Sequence, residues 1–120
     1  MEFNALNEYL LEAPKSSLDF PFGKDVYVYK VKGKMFALLG HRGDMMTLNL
    51  KCNPDEAAAL CDVFEGILPG YHMNKKHWIT IYFDGSVPNN EVLRLIDNSY
   101  ALVVSKLPKK DRISLELQTS

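Results

Sequence analysis

The sequence predicts an α+β domain, an antiparallel β-sheet of about four strands with helices packed on one face, in the order α-β-β-β-α-β-α. Three observations predict it. Apolar residues recur at spacings of three and four near the start, the middle and the end of the chain, which is the repeat of a half-buried helix. Between these stretches lie segments that alternate apolar and polar residues, the repeat of a strand. The links joining the first three alternating segments are only a few residues long, which antiparallel neighbours allow and parallel ones do not. With 120 residues, 47% of them hydrophobic, the chain can bury one core without metals or disulfides, and residues 1–120 read as one domain.

Phe3, Leu6, Leu10 and Ala13 form one helical face, and Pro14 ends a helix expected over residues 2–12. Phe20, Pro21, Phe22 and Gly23 read as an ordered loop that tucks two rings into the core. From Asp25 to Lys32 the chain alternates, with Val26, Val28, Lys30 and Lys32 on one side and Tyr27, Tyr29 and Val31 on the other. Lys32-Gly33 is a tight turn into a nearly all-apolar, central strand over Met35–Leu39. After a turn at residues 40–44, Met46, Leu48 and Leu50 face the core, and Thr47, Asn49 and Lys51 face outward.

Asn53 caps the second helix, Pro54 suits its first position, and Asp55 and Glu56 complement its positive end. Ala57, Leu60, Cys61 and Phe64 make its buried stripe, and Gly66 with Pro69-Gly70 ends it. Trp78 to Phe83 alternates as a fourth strand, with Ile79, Ile81 and Phe83 opposite Trp78, Thr80 and Tyr82. Pro88 opens the longest helix, about residues 88–106, striped by Val92, Ile96, Tyr100, Val103 and Leu107 before Pro108. Residues 110–120 are a tail that either adds one short helix or frays.

Charge and composition restrict the function. The net charge of −1 excludes a uniformly basic protein, so contact with a polyanion requires local clustering. Lys15 to Lys51 holds seven bases and three acids, residues 52–70 hold four acids and no base, and Lys106, Lys109, Lys110 and Arg112 stand against Asp111 alone. Met1 to Glu12 carries three acids and no base, unlike a signal peptide. No run approaches the ~20 apolar residues of a membrane span. Cys52 and Cys61 are too few for a disulfide scaffold. A cytoplasmic protein with no membrane partner is expected.

The segment of highest chemical content precedes and enters the fourth strand. Asn74, Lys75, Lys76 and His77 stand directly before Trp78; lysines hold phosphate as point charges, an amide can read a base edge, and an aromatic plane can stack. Tyr71 and Trp78 could equally anchor the loop to the core. Lys30, Lys32 and Lys34 surround the Gly33 turn, the pattern of a ribbon tip lying along a phosphate backbone, or of lysines protecting an exposed edge. Arg42, in Arg42-Gly43-Asp44, and the Lys109, Lys110, Arg112 group complete the candidate cations. His72 and His77, with His41, Asp44 or Asp84, could gather around zinc, although the lysines beside His77 oppose it. No phosphate loop, nucleophile triad or metalloprotease motif occurs, and Asp84 and Asp97 stand singly. No catalytic residues, cofactor or metal are assigned.

The run from Pro69 to Ser86, continued by Pro88, Leu95-Ile96-Asp97, Ser99-Tyr100, Val103 and Leu107-Pro108, resembles the signature of the MmcQ/YjbR family of small bacterial proteins. Phe20-Pro21-Phe22-Gly23 matches it more loosely. The resemblance implies a frataxin-like (CyaY-like) α+β fold whose hairpins are described as a double wing, and a DNA-binding role. Two hypotheses follow: a DNA-binding module with little sequence preference, using the hairpin tip and the Pro69–Trp78 loop, or a protein- or peptide-binding module using an aromatic patch of Tyr71, Trp78 and Tyr82. A carrier of a metal or small ligand at His72 and His77 is a third.

Overall fold

The computed structural model describes residues 1–70, 74 and 76–119, with side chains through residue 117. Along the described residues run α1 (Phe3–Glu12), β1 (Ser16–Asp19), β2 (Tyr27–Val31), β3 (Lys34–Arg42), β4 (Met45–Lys51), α2 (Pro54–Val63), β5 (Ile67–Pro69), β6 (Trp78–Tyr82), α3 (Asn89–Ser105) and α4 (Lys109–Thr119). One six-stranded sheet has the order β1-β2-β3-β4-β6-β5, and every neighbouring pair is antiparallel. The α+β class stands as expected, with two further strands and a fourth helix formed by the tail.

Both added strands are edges. β1, Ser-Ser-Leu-Asp, has too little apolar alternation to announce itself; it is held by pairing Leu18 with Tyr29 and Asp19 with Val28. β5 has three residues and pairs only with β6. Just beyond it, the Gly70 amide donates to the Trp78 carbonyl (2.8 Å), and a Cβ on Gly70 would sit 2.7 Å from Trp78 Cβ. Only glycine lets the chain close on the strand there.

The two sheet faces differ. Tyr29, Val31, Leu39, Leu48, Leu50, Ile79 and Ile81 point to a core completed by Leu6 and Leu10 of α1, Ala57 and Leu60 of α2, Val92, Leu95, Ile96 and Val103 of α3, and Leu115 of α4. All four helices therefore cover one face. The other face carries a smaller apolar group, Val28, Leu38 and Trp78, with Val26 and Met35 against it. Beside that group Thr80 donates to Asn49 Oδ1 (2.5 Å). This division follows the alternation read in β2, β4 and β6.

A bulge fixes α3 to the sheet. Tyr29 pairs with Ala37 and Lys30 with Met35, so Phe36 has no partner on β2 and its buried ring meets Tyr100 of α3 edge-on at 5.3 Å. A bulge leaves a ladder group unpaired. Ser99 supplies the missing partner: its hydroxyl donates to the Phe36 carbonyl (2.6 Å) and accepts from the Lys51 amide (2.8 Å). Asn53 caps α2 as its sequence indicates, accepting from the Asp55 amide at 3.0 Å. The Phe20–Gly23 loop departs from expectation. Phe20 and Phe22 are 42% and 62% exposed, because the covered core is already filled by α1 and α3, and Phe20 only meets Tyr27 edge-on at 4.9 Å.

Candidate functional site

The candidate residues divide between the two ends of the sheet. β3 leaves the Lys32-Gly33 turn at Lys34 and reaches Arg42, about 26 Å away at strand rise. At the first end both turn residues have positive φ, +50° at Lys32 and +80° at Gly33, the mark of a type I′ hairpin. Lys34 opens β3 there and is exposed. Lys51 closes β4 at the same end, in register with Trp78, the first residue of β6. α3 also ends here, with Lys106 as its C-cap, and α4 starts three residues on. Lys32 Nζ donates to Ser114 Oγ of α4 (3.3 Å).

These placements bring Lys34, Lys51 and Lys106 around one groove. One half, about 430 Å³, lies between Lys51, Asn53, Asn74, His77, Trp78, Leu102 and Lys106. The other, about 330 Å³, lies between Lys34, Met35, Lys51, Trp78, Val103, Lys106 and Leu107. Lys51, Trp78 and Lys106 belong to both. Among the described residues no carboxylate lines either half, and no ion pair joins these lysines to an acid. Three cations face shared space with no countercharge from the described residues.

Hydrogen bonds link Asn74, Lys76, His77 and Trp78 at the entry to β6. Asn74 accepts from the Lys76 amide through its side chain (3.0 Å), and its carbonyl accepts from the amides of His77 (3.1 Å) and Trp78 (3.0 Å). The His77 carbonyl accepts from the Cys52 amide (2.8 Å). Asn74 and His77 therefore line the groove, while Lys76 turns toward α2 and lines a separate cleft with Cys61 and Asp62. Lys75, Tyr71 and His72 lie outside the described residues.

Three other candidates have partners of their own. Lys30 faces the β1 edge, bound to Asp19 at 2.9 Å; that bond holds the Asp19 carboxyl below its usual range. Arg42 stands at the far end, its Nη1 donating to the Tyr82 hydroxyl (2.8 Å). Trp78 is 9% exposed, packed against Val28 and Leu38, so little of its ring surface is open to a ligand. With Tyr82 engaged at the other end, Trp78 and Tyr82 do not make one exposed aromatic patch. Lys109, Lys110 and Arg112 are exposed on the first turns of α4.

Lys51 and Lys106 were not among the sequence candidates. Lys51 reads as one more outward position of β4, and only its register with Trp78 makes it part of a site. Lys106 reads as a charge near a helix end, where it also complements the α3 dipole.

The cysteines, Asp97 and His41 each have their own surroundings in the fold. Burial, then the charge of Glu56, pushes the Cys52 thiol up to about 11. Burial raises Cys61 as well. Asp97 accepts from the Tyr9 hydroxyl (2.7 Å), and His41 stacks on Phe3 at the far end, 6.0 Å between centroids, remote from His77. Among the described residues no three His, Cys, Asp or Glu side chains come together in a metal-binding arrangement, and no helix is long and apolar enough to cross a membrane.

The same architecture occurs in solved structures. A Deinococcus radiodurans protein with a DUF419 domain superposes with a TM-score of 0.87 at 37% identity, covering 94% of this chain and 86% of its own. A Pseudomonas syringae protein does so with a TM-score of 0.73 at 31% identity, covering 85% of this chain and 98% of its own. In sequence the chain is 38% identical to Escherichia coli YbdF over 102 residues, 85% of this chain and 84% of that protein. It is 30% identical to E. coli YjbR over 112 residues, 93% of this chain and 95% of that one. The YjbR family model matches residues 11–102, a span that holds Lys34, Lys51, Asn74, His77 and Trp78 and stops short of Lys106 and α4. By family model, relatives and fold alike, the chain belongs to the YjbR family.

Proposed function

We propose that this protein is a non-enzymatic, cytoplasmic DNA-binding module that engages the phosphate backbone, with little sequence preference, through the basic end of its sheet. The observation that carries this reading is the meeting of Lys34, Lys51 and Lys106, from three different elements, along a groove with no lining carboxylate among the described residues. Desolvated only in part and with no ion-pair partner among those residues, these cations can exchange their counterions for phosphates at little cost. Lys109 and Lys110 add to it. They stand at the positive end of the α4 dipole, where cations weaken a helix, so helix stability does not account for them. A non-catalytic role agrees with the engagement of Asp97 by Tyr9 and the raised thiols.

The test is fluorescence anisotropy of a labelled duplex of about 20 base pairs over a salt series, beside a single strand of equal length, since each neutralised phosphate contributes about −0.9 to the slope of log K against log salt. A slope of about −3 to −6 supports the reading. Absence of binding at low salt removes it.

A second reading, contact with a protein, is favoured by the exposed rings of Phe20 and Phe22 at the other end of the molecule. Its mark is salt-insensitive binding that Phe22→Ser abolishes.

A further inference from the structure

The groove between β4, β6 and the end of α3 has the composition of a nucleotide site as well as that of a charged surface. Its floor is apolar, made by Trp78, Leu102, Val103 and Leu107. Its rim is cationic, made by Lys34, Lys51 and Lys106. Its remaining polar side chains are two amides, an imidazole and the Cys52 thiol. Asn53 and Asn74 both use the side-chain oxygen on a neighbouring backbone amide, so the group each presents onward is an NH2 donor. Each half, about 430 and about 330 Å³, lies within the ~300–1,000 Å³ usual for small-ligand sites. A duplex can lie across such an opening and cannot enter it; one nucleotide can.

We infer that this groove holds a phosphorylated nucleoside, with the phosphate among Lys34, Lys51 and Lys106 and the sugar and base against the Trp78–Leu102 floor. The inference rests on the nucleic-acid reading above and deepens it by giving the groove a ligand of its own. A strand's terminal nucleotide and a free mononucleotide share this chemistry. A terminal phosphate monoester carries up to two negative charges on one phosphorus, which three lysines around one cavity can match as point charges.

Trp78 is the single tryptophan of the chain and lines both halves, so its fluorescence reports on this groove. The full chain is titrated with thymidine 5′-monophosphate, thymidine, inorganic phosphate, and a short thymidine strand with and without a 5′-phosphate. The expected result is a Trp78 response to the monophosphate at a Kd at least about tenfold below those for thymidine and phosphate, as an added charged contact implies against the first and buried apolar surface against the second. Lys51→Gln with Lys106→Gln should raise that Kd by at least about tenfold at unchanged thermal unfolding. A 5′-phosphorylated strand that binds tighter than the free nucleotide assigns a strand end, and equal or weaker binding assigns a mononucleotide; either supports the inference. Phosphate binding as tightly as the nucleotide overturns it. So does a silent Trp78 at millimolar nucleotide, confirmed by unmoved Lys51, Lys106 and His77 amide resonances. If duplex binding persists in that case, the nucleotide assignment fails and the DNA reading stands on the rim lysines and α4; if duplex binding is absent too, both fail.

Discussion

The two ends of the sheet are turned by the same device, a two-residue hairpin on the long strand β3, and they carry opposite chemistry. At the β2–β3 end the turn is Lys32-Gly33, and Lys34, Lys51 and Lys106 surround a groove without countercharge from the described residues. At the β3–β4 end the turn is Gly43-Asp44, with Gly43 at φ +63°. There Arg42 donates to Tyr82 and His41 stacks on Phe3. Phe3 in turn meets Tyr27 edge-on at 4.9 Å. A cation counted in the sequence is therefore not a cation available to a ligand. The first end leaves its charges facing solvent, whereas the second builds its polar groups into aromatic and hydrogen-bonded contacts.

The largest effect expected from this contrast is on DNA affinity. Lys34→Glu, Lys51→Glu and Lys106→Glu together should weaken duplex binding by about a hundredfold or more at low salt and flatten the salt slope by about 3, as the loss of three phosphate contacts requires. Arg42→Glu should change affinity by less than about twofold at 0.1 M salt, because its distance from the groove exceeds the Debye length of about 10 Å. Equal losses from both variants would erase the distinction between the ends.

Next in size is the connection that holds the basic end in place. Ser99 is fully buried and bonds both the Phe36 carbonyl and the Lys51 amide. Ser99→Ala strips a partner from two buried backbone groups and should cost about 2 kcal/mol in urea unfolding. Because one of those groups belongs to Lys51, duplex affinity should fall in the same variant even where it is fully folded. A destabilised protein with unchanged affinity would separate the bulge from the site.

Cys52 sharpens the comparison from beneath the groove. Lysines nearby would lower a thiol pKa if their field reached it. Instead burial and Glu56 dominate and the thiol is raised from 9.0 to about 11, so the cationic character stays at the rim. Reaction with iodoacetamide near pH 8 should run at least about tenfold slower than for an unfolded thiol, the lower thiolate fraction being partly offset by its greater nucleophilicity and burial of the sulfur slowing it further. The sign for stability follows from the same shift. Between pH 9 and 11 the folded state keeps a proton that the unfolded state has lost, so this contribution is whole below pH 9 and declines as pH rises. Cys52→Ala should flatten that decline.

Much of this architecture was legible in the residues. Val92, Ile96 and Val103 mark α3, Leu48 and Leu50 mark the covered face of β4, and Asn53-Pro54 marks the start of α2, because each rests on local periodicity or capping. β1 was not legible, since Ser16 to Asp19 has no apolar pattern of its own and exists by pairing with β2. Half of the site was hidden for a related reason. Lys34, Asn74 and His77 announce themselves, but Lys51 and Lys106 join them only through the register of Lys51 with Trp78 and the place where α3 ends. Arg42 looked equivalent to Lys34 because strand direction, which separates them by the length of β3, is a property of the sheet. Of the two readings of Trp78, the anchor is the one its surroundings match, because a second, small apolar group on the open face absorbs its ring.

The smallest expected effect bears on why the basic end has a lysine at its tip. Lys32 sits at φ +50°, a left-handed conformation that costs an L-residue with a Cβ about 1 kcal/mol. Asparagine tolerates that conformation far better and is the favoured partner of glycine in a type I′ turn. Turn geometry alone would therefore choose asparagine before Gly33. Lys32→Asn should stabilise the fold by about 0.5 kcal/mol, with the exposed bond to Ser114 a minor loss against the relief of backbone strain. The same variant should reduce the salt slope of duplex binding by about 1 if Lys32 reaches a phosphate. Gain of stability with loss of slope would identify a residue kept at the turn for its charge. Gain of stability with no change in slope would confine the phosphate contacts to the groove and α4.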